Sequence, residues 1–162
     1  MDQQIKEKFS LTLKLAEEGK LELWKKDSRG ILALIIVFDQ FSRVIYRGKK
    51  ESFAFDMQAG NLSMELQKHP DFKNFAKQEK MFSYMPCMHA EDVEMCRTCV
   101  KGFTELNTAV KFAQDHLDIV EKFGRYPHRN EILERKSTKE EEEWVKWNNE
   151  TKTYPFAIIK KA

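Results

Sequence analysis

Apolar positions along this chain recur mostly at helical spacing. Ile5, Phe9, Thr12 or Leu13, and Ala16 form one stripe, and Gly19 stands where a left-handed residue ends a helix. A first helix is expected from about residue 2 to 18. After Leu21 and Trp24, Asp27 or Ser28 can cap a second helix running through Ile45. Between Ile31 and Phe38 it is apolar on every side, which marks it as the central, most buried helix. A third helix is expected from about Ser52 to Gln67, with Phe55, Ala59, Leu62 and Leu66 on one stripe and His69-Pro70 stopping it. Asp71 can open a fourth, carrying Phe72, Phe75, Phe82 and Met85, which Pro86 breaks; residues 86 to 90 are then a loop.

The second half continues the pattern. Glu91 and Asp92 suit the positive start of a fifth helix marked by Val93, Cys96, Val100 and Phe103 and ending near Asn107. Ala109, Phe112, Ala113, His116, Ile119 or Val120, and Phe123 form a sixth stripe that ends at Gly124. Ile132 and Leu133 lie in a short seventh helix. Ser137-Thr138-Lys139-Glu140 has the form of a capping box before a last helix with Trp144 and Trp147. Tyr154 to Ile159 is a short apolar tail expected to dock on the domain or on a partner. No alternating strand pattern of useful length occurs, so the expected fold is all-α: seven to eight helices, paired antiparallel, in one domain over 1–162 with 150–162 as its tail. No repeat with a period near 34 is visible.

Composition narrows the functions. The 162 residues suffice for one core without metal or disulfide support. Twenty-eight basic side chains against twenty-six acidic ones, interleaved, give almost no net field, which disfavours nucleic acid. The longest apolar stretch, Ile31 to Phe38, falls far short of the roughly 20 residues that span a bilayer, and the start of the chain has no basic-then-apolar leader. A cytoplasmic protein with three free thiols is expected, and the sequon Asn149-Glu150-Thr151 is then chance.

Four segments resemble the bacterial family catalogued as domain of unknown function 924: Leu34 to Arg43; Tyr46-Arg47-Gly48 with Phe53 to Asp56; Phe82 to Asp92; and His116 to Asn130. The resemblance runs from Ile5 to about Trp144 in the family's order. It implies a helical, tetratricopeptide-like fold of paired helices in a superhelical layout, and it implies no activity, since none is established for the family. Two departures stand out. The family usually starts with a further segment bearing a tryptophan-phenylalanine pair, and this chain begins at the equivalent of the next helix, so part of the usual core cover is expected to be absent. Ser42 replaces a proline, which should let the second helix run smoothly through Asp39 to Tyr46. Cys87, Cys96 and Cys99 do not belong to the family's pattern.

Candidate chemistry clusters in three places. Asp39, Arg43 and Arg47 step by four beside Gln40, which makes either an anion cradle or an internal pairing in which Arg47 reaches a helix-end carbonyl or an acid such as Asp56. His89, Glu91 and Asp92 follow Pro86 and could move a proton or bind a cation, or simply cap a helix. The run Phe123 to Asn130 holds Arg125, His128, Arg129 and Asn130 between Gly124 and Pro127, two backbone constraints that would preset the side chains; an arginine fork there could take a carboxylate or phosphate, or pin the turn. His116, on an apolar stripe, is expected to be buried and hydrogen bonded. Cys96-Arg97-Thr98-Cys99 has redox or zinc spacing but sits on a helical stripe, so neither metal nor other cofactor is expected. Phosphate-binding glycine loops, nucleophile elbows and dinucleotide fingerprints are missing.

These features favour a non-catalytic adaptor whose Arg/His-lined concavity binds a peptide or a small anionic group, with Arg43, Arg47, Arg125 or Arg129 supplying recognition. The alternative is an enzyme, hydrolytic or proton-transferring, that uses His89 or His128 with Glu91 or Asp92 on an anionic substrate. A structural subunit of a larger assembly is the third reading.

Overall fold

The apolar span at 31–38 lies at the centre of the molecule: Ile31, Leu34, Ile35, Val37 and Phe38 are all but inaccessible. This computed structural model describes residues 2–154 and 156, and among them every regular element is helical. The first helix, α1 (Asp2–Glu17), buries Leu13 and Ala16, and Gly19 follows it at φ 69°. After a 3-10 turn at Glu22–Lys26 comes α2 (Ser28–Ile36), which Asp27 caps by accepting from the backbone N–H groups of Arg29 and Gly30 at 3.0 and 2.9 Å. Gly30 is required there, because a Cβ on it would sit 1.9 Å from the Trp24 carbonyl oxygen.

The expected smooth helix through Tyr46 is continuous but not regular. A π turn, Val37–Phe41, separates α2 from α3 (Ser42–Ile45), and the Ser42 hydroxyl donates back to the Phe38 carbonyl. Such one-turn widenings rotate the following side chains relative to a plain helix. Here the turn carries Asp39 into the interior.

A 3-10 turn at Lys50–Phe53 leads into α4 (Asp56–Leu66), so that helix starts later than the apolar stripe suggests. A second 3-10 turn, Pro70–Asn74, replaces the first part of the expected fourth helix, and α5 (Lys77–His89) begins only after it. The expected break at Pro86 does not occur: Pro86 lies inside α5, and residues 86–89 are its last turn rather than a loop. Proline removes one backbone bond, but the end of this helix is held from outside. Ser63 Oγ donates to the Ser83 carbonyl, the Tyr126 hydroxyl to Met88, and Arg129 to His89.

The turn at residues 90–92 folds α6 (Val93–Glu105) back against α5, and α7 (Val110–Phe123) packs on α6. Gly124, at φ 68°, closes α7 by donating to the Val120 carbonyl at 2.8 Å. A 3-10 turn, Pro127–Arg129, follows; Ile132 is buried and Leu133 half-buried, but both lie in turns and not in a seventh helix. The last helix is α8 (Lys139–Thr151), whose capping box is Thr138 with Glu141, one residue later than the sequence pattern indicates.

Two apolar cores result. One gathers α1 to α5 with the inner face of α6 around Phe38, Leu66 and Met88. The other joins α6, α7 and α8 around Cys96, Val120, Tyr126 and Trp144. Beyond α8 the chain reverses at Lys152, φ 55°, so that Tyr154 and Phe156 lie back on the domain. Of the expected apolar tail at 154–159, Pro155 and residues 157–159 lie outside the described residues. Among the described residues no helix is long and apolar enough to cross a membrane.

Candidate functional site

The π turn, the start of α4, the end of α5 and the Pro127–Arg129 turn meet at one buried ion network. Asp39, 1 % exposed, accepts from Nδ1 of His89 at 2.6 Å, from the Gln40 amide, and faces Arg43 at 3.5 Å. Arg43 forms a fork with Asp56 at 2.7 and 3.0 Å, and Arg129 Nη1 reaches the same carboxylate at 2.9 Å and the His89 carbonyl at 3.0 Å. Burial alone would raise the Asp39 carboxyl, but the facing His89 and Arg43 outweigh it and hold the group at about 2. Burial pulls the Arg129 guanidinium below its usual range even with Asp56 beside it.

Around this network the other expected residues are tied individually. Glu91 receives a fork from Arg135 at 2.5 and 2.9 Å and the Tyr126 backbone N–H at 2.8 Å. Asp92 caps α6, accepting from the Met95 N–H at 2.9 Å. Neither is the acid that pairs with His89; Asp39 is. Arg125 is locked to Glu141 at 2.6 and 2.8 Å, which holds that carboxyl at about 2. Asn130 bonds Ser137, Glu141 and Arg135, and Arg47 pairs with Asp2 on the surface rather than with Asp56. The four arginines expected to line an open concavity therefore each have a carboxylate partner, because a chain with nearly equal numbers of acids and bases can neutralise its own interior charges.

The remaining histidines build a different surface. His116 bonds the Phe112 carbonyl through Nδ1 at 2.7 Å, and burial, then the nearby His89, pull it to about 3. His128 is buried with its Nδ1 unpartnered, and burial, then Arg129, keep it well below the usual imidazole range. Both are therefore neutral rings near pH 7. With Tyr126 and Trp144 they surround the Phe156 ring, which stacks on His128 at 4.7 Å and meets His116 edge-on at 4.6 Å. Asn148, 2 % exposed, fixes the same segment: its amide accepts from the Tyr154 N–H at 2.8 Å and donates to the carbonyls of Tyr154 and Phe156 at 3.3 and 3.2 Å. Sequence reasoning missed Asn148 and the role of Tyr126. A polar residue one turn after Trp144 on an otherwise amphipathic helix was the available signal.

The three cysteines are buried thiols raised by that burial, Cys87 and Cys96 to about 11. Among the described residues no three His, Cys, Asp or Glu side chains gather closely enough to hold a metal ion.

Comparison with known proteins gives two matches. The profile of a bacterial protein family of unknown function, DUF924, fits residues 1–149. A solved structure of a protein of unknown function from Agrobacterium tumefaciens superposes with a TM-score of 0.83 at 31 % identity, over 90 % of this chain and 84 % of that one. No curated protein matches the chain.

Proposed function

Since this chain belongs to the DUF924 family of bacterial proteins, whose function is unknown, we propose its role from its own geometry: it is a non-catalytic domain that recognises a peptide segment. The observation that carries this reading is the seating of Tyr154 and Phe156. An amide that pairs with both the N–H and the C=O of one residue reads backbone whatever the side chain, and an aromatic recess next to it reads one side chain. Asn148 supplies the first, and His116, Tyr126, His128 and Trp144 the second. All five belong to the stretch that the family profile covers, whereas the occupant lies beyond it. The seat lies within the matched stretch, and the tail acts as a ligand supplied in cis.

The test is fluorescence anisotropy with a labelled peptide of sequence Thr-Tyr-Pro-Phe-Ala-Ile, copied from residues 153–158. Phe156→Ala chains should bind it saturably, wild-type chains more weakly because their own tail competes, and chains with Asn148→Ala added least of all. Equal binding to all three, or none to the Phe156→Ala chain, would sink the proposal.

One observation favours a second reading. Asp39, ionised and buried, orients the His89 ring through Nδ1 and leaves Nε2 as the candidate proton acceptor, the arrangement a general base requires. Carbethoxylation of the folded protein checks it: His89 should react, and Asp39→Asn, which removes the carboxylate that orients the ring, should slow that reaction. A His89 that stays inert until the chain unfolds would remove the idea.

A further inference from the structure

Arg129 is only half used by its partners. Its guanidinium is clamped between two rings, with the Tyr126 and Phe53 centroids at 4.3 and 4.6 Å, and its side chain is 6 % exposed. Nη1 is committed to Asp56 and to the His89 carbonyl. The opposite edge is not: Nε is buried without a hydrogen-bond partner, and none is found for Nη2 among the described residues. An unpaired buried donor on a charged group is costly, and the Nε–Nη2 edge is the one that grips a carboxylate with two parallel bonds.

Arg129 also walls a cleft of about 220 Å³ with Lys50, Phe53, Met57, Glu91 and Leu133. The acids there do not repel an incoming anion, because Asp56 is neutralised by Arg43 and Glu91 by Arg135. Arg43, Arg129 and Arg135 match the three carboxylates Asp39, Asp56 and Glu91, and Lys50 lines the cleft as a further cation. That space admits a molecule of a few heavy atoms.

We propose that this cleft is a site for a small monocarboxylate, which seats its two oxygens on the Nε–Nη2 edge of Arg129 and lays its carbon chain on Phe53, Met57 and Leu133. Lys50 draws the anion in. The site is separate from the Asn148 seat and stands or falls without it. A free acid and the terminal carboxylate of a peptide offer the same chemistry, and the volume favours the former.

The experiment follows the Nε–H resonance of Arg129 and the ring resonances of Phe53 in ¹⁵N-labelled protein, titrated with propionate, with propionamide, and with a tripeptide whose carboxylate is free. Propionate should shift both signals saturably and propionamide should not. Lys50→Ala should weaken the response about threefold, the scale of one exposed charge. Met57→Trp, a change at an exposed position that fills the cleft without touching the ion network, should abolish it. A response to the tripeptide as strong as that to propionate would reassign the source to a chain end and overturn the free-acid proposal. So would an unmoved Nε–H, a shift shared with propionamide, or a shift that survives Met57→Trp.

Discussion

The two polar assemblies of this protein meet at Tyr126 and are built on opposite principles. On one side, Arg129 stacks on the ring and ties into a network of full charges, Asp39, Arg43 and Asp56, that fixes helix ends from four distant parts of the chain. On the other, uncharged rings and one amide hold Tyr154 and Phe156. Charges taken out of water have to be matched in number, so the first assembly cannot lose a member without stranding another. The second has no such obligation. Its occupant can leave and water can replace it, which is what a binding surface needs and a buried network of charge cannot allow.

The sharpest way to break that contrast is Asp56→Asn. It leaves the guanidinium groups of Arg43 and Arg129 facing a neutral amide in a buried site, and it should cost about 3–5 kcal/mol in urea unfolding, a large part of a domain's total stability. Arg47→Ala, which removes an exposed pair with Asp2, should leave the unfolding midpoint where it was. If the two variants unfold alike, the network does not hold these helix ends together.

Acid separates the assemblies by pH. Asp39 at about 2 lies below its unfolded value of about 3.9, so the unfolded chain takes the proton first. The stability it contributes, about 2–3 kcal/mol, is complete above roughly pH 5 and is lost as the pH falls toward 2. His116 and His128 have folded values below the imidazole's usual value of about 6.5, so between the two values the unfolded or opened form binds more protons. Their neutral, buried state weakens from about pH 6.5 downward, by up to about 1.4 kcal/mol per histidine per pH unit. Release of Phe156 relieves that loss without unfolding the domain. Fluorescence of Trp144 should therefore change between pH 6.5 and 5, while far-UV circular dichroism stays constant until the Asp39 window. A single coincident transition would merge the two regions into one.

What could be foreseen from the chain divides along the same line. Caps and stops are local, and Asp27, Asp92 and Gly124 do in the structure what their positions in the sequence indicate. The run of apolar residues at 31–38 likewise specifies its own burial. Pro86 misleads because the rule counts the bond it removes and not the donors from Ser63, Tyr126 and Arg129 that secure the rest of the turn. The partner of His89 is 50 residues away and reaches it because a π turn rotates Asp39 inward, for which the sequence carries no mark. Arg43, not Arg47, takes Asp56, a choice between two arginines one helical turn apart that depends on where α4 begins.

Within the two assemblies, the smallest predicted effect is the most specific. Asn148 is buried, yet its three hydrogen bonds go to backbone groups that water can serve once Tyr154 and Phe156 lift away. Asn148→Ala should therefore lower global stability by no more than about 1 kcal/mol, the net worth of such bonds when the groups left behind are rehydrated. Locally the loss is complete: the amide proton of Tyr154 should exchange freely, while those of α5 and α7 keep their protection. Tyr126→Phe gives the opposite pattern, since it strips the Met88 carbonyl inside the core of its donor and should speed exchange at the end of α5. If Asn148→Ala loosens α5 as well, the seat is part of the fold's foundation and not a surface with a removable guest.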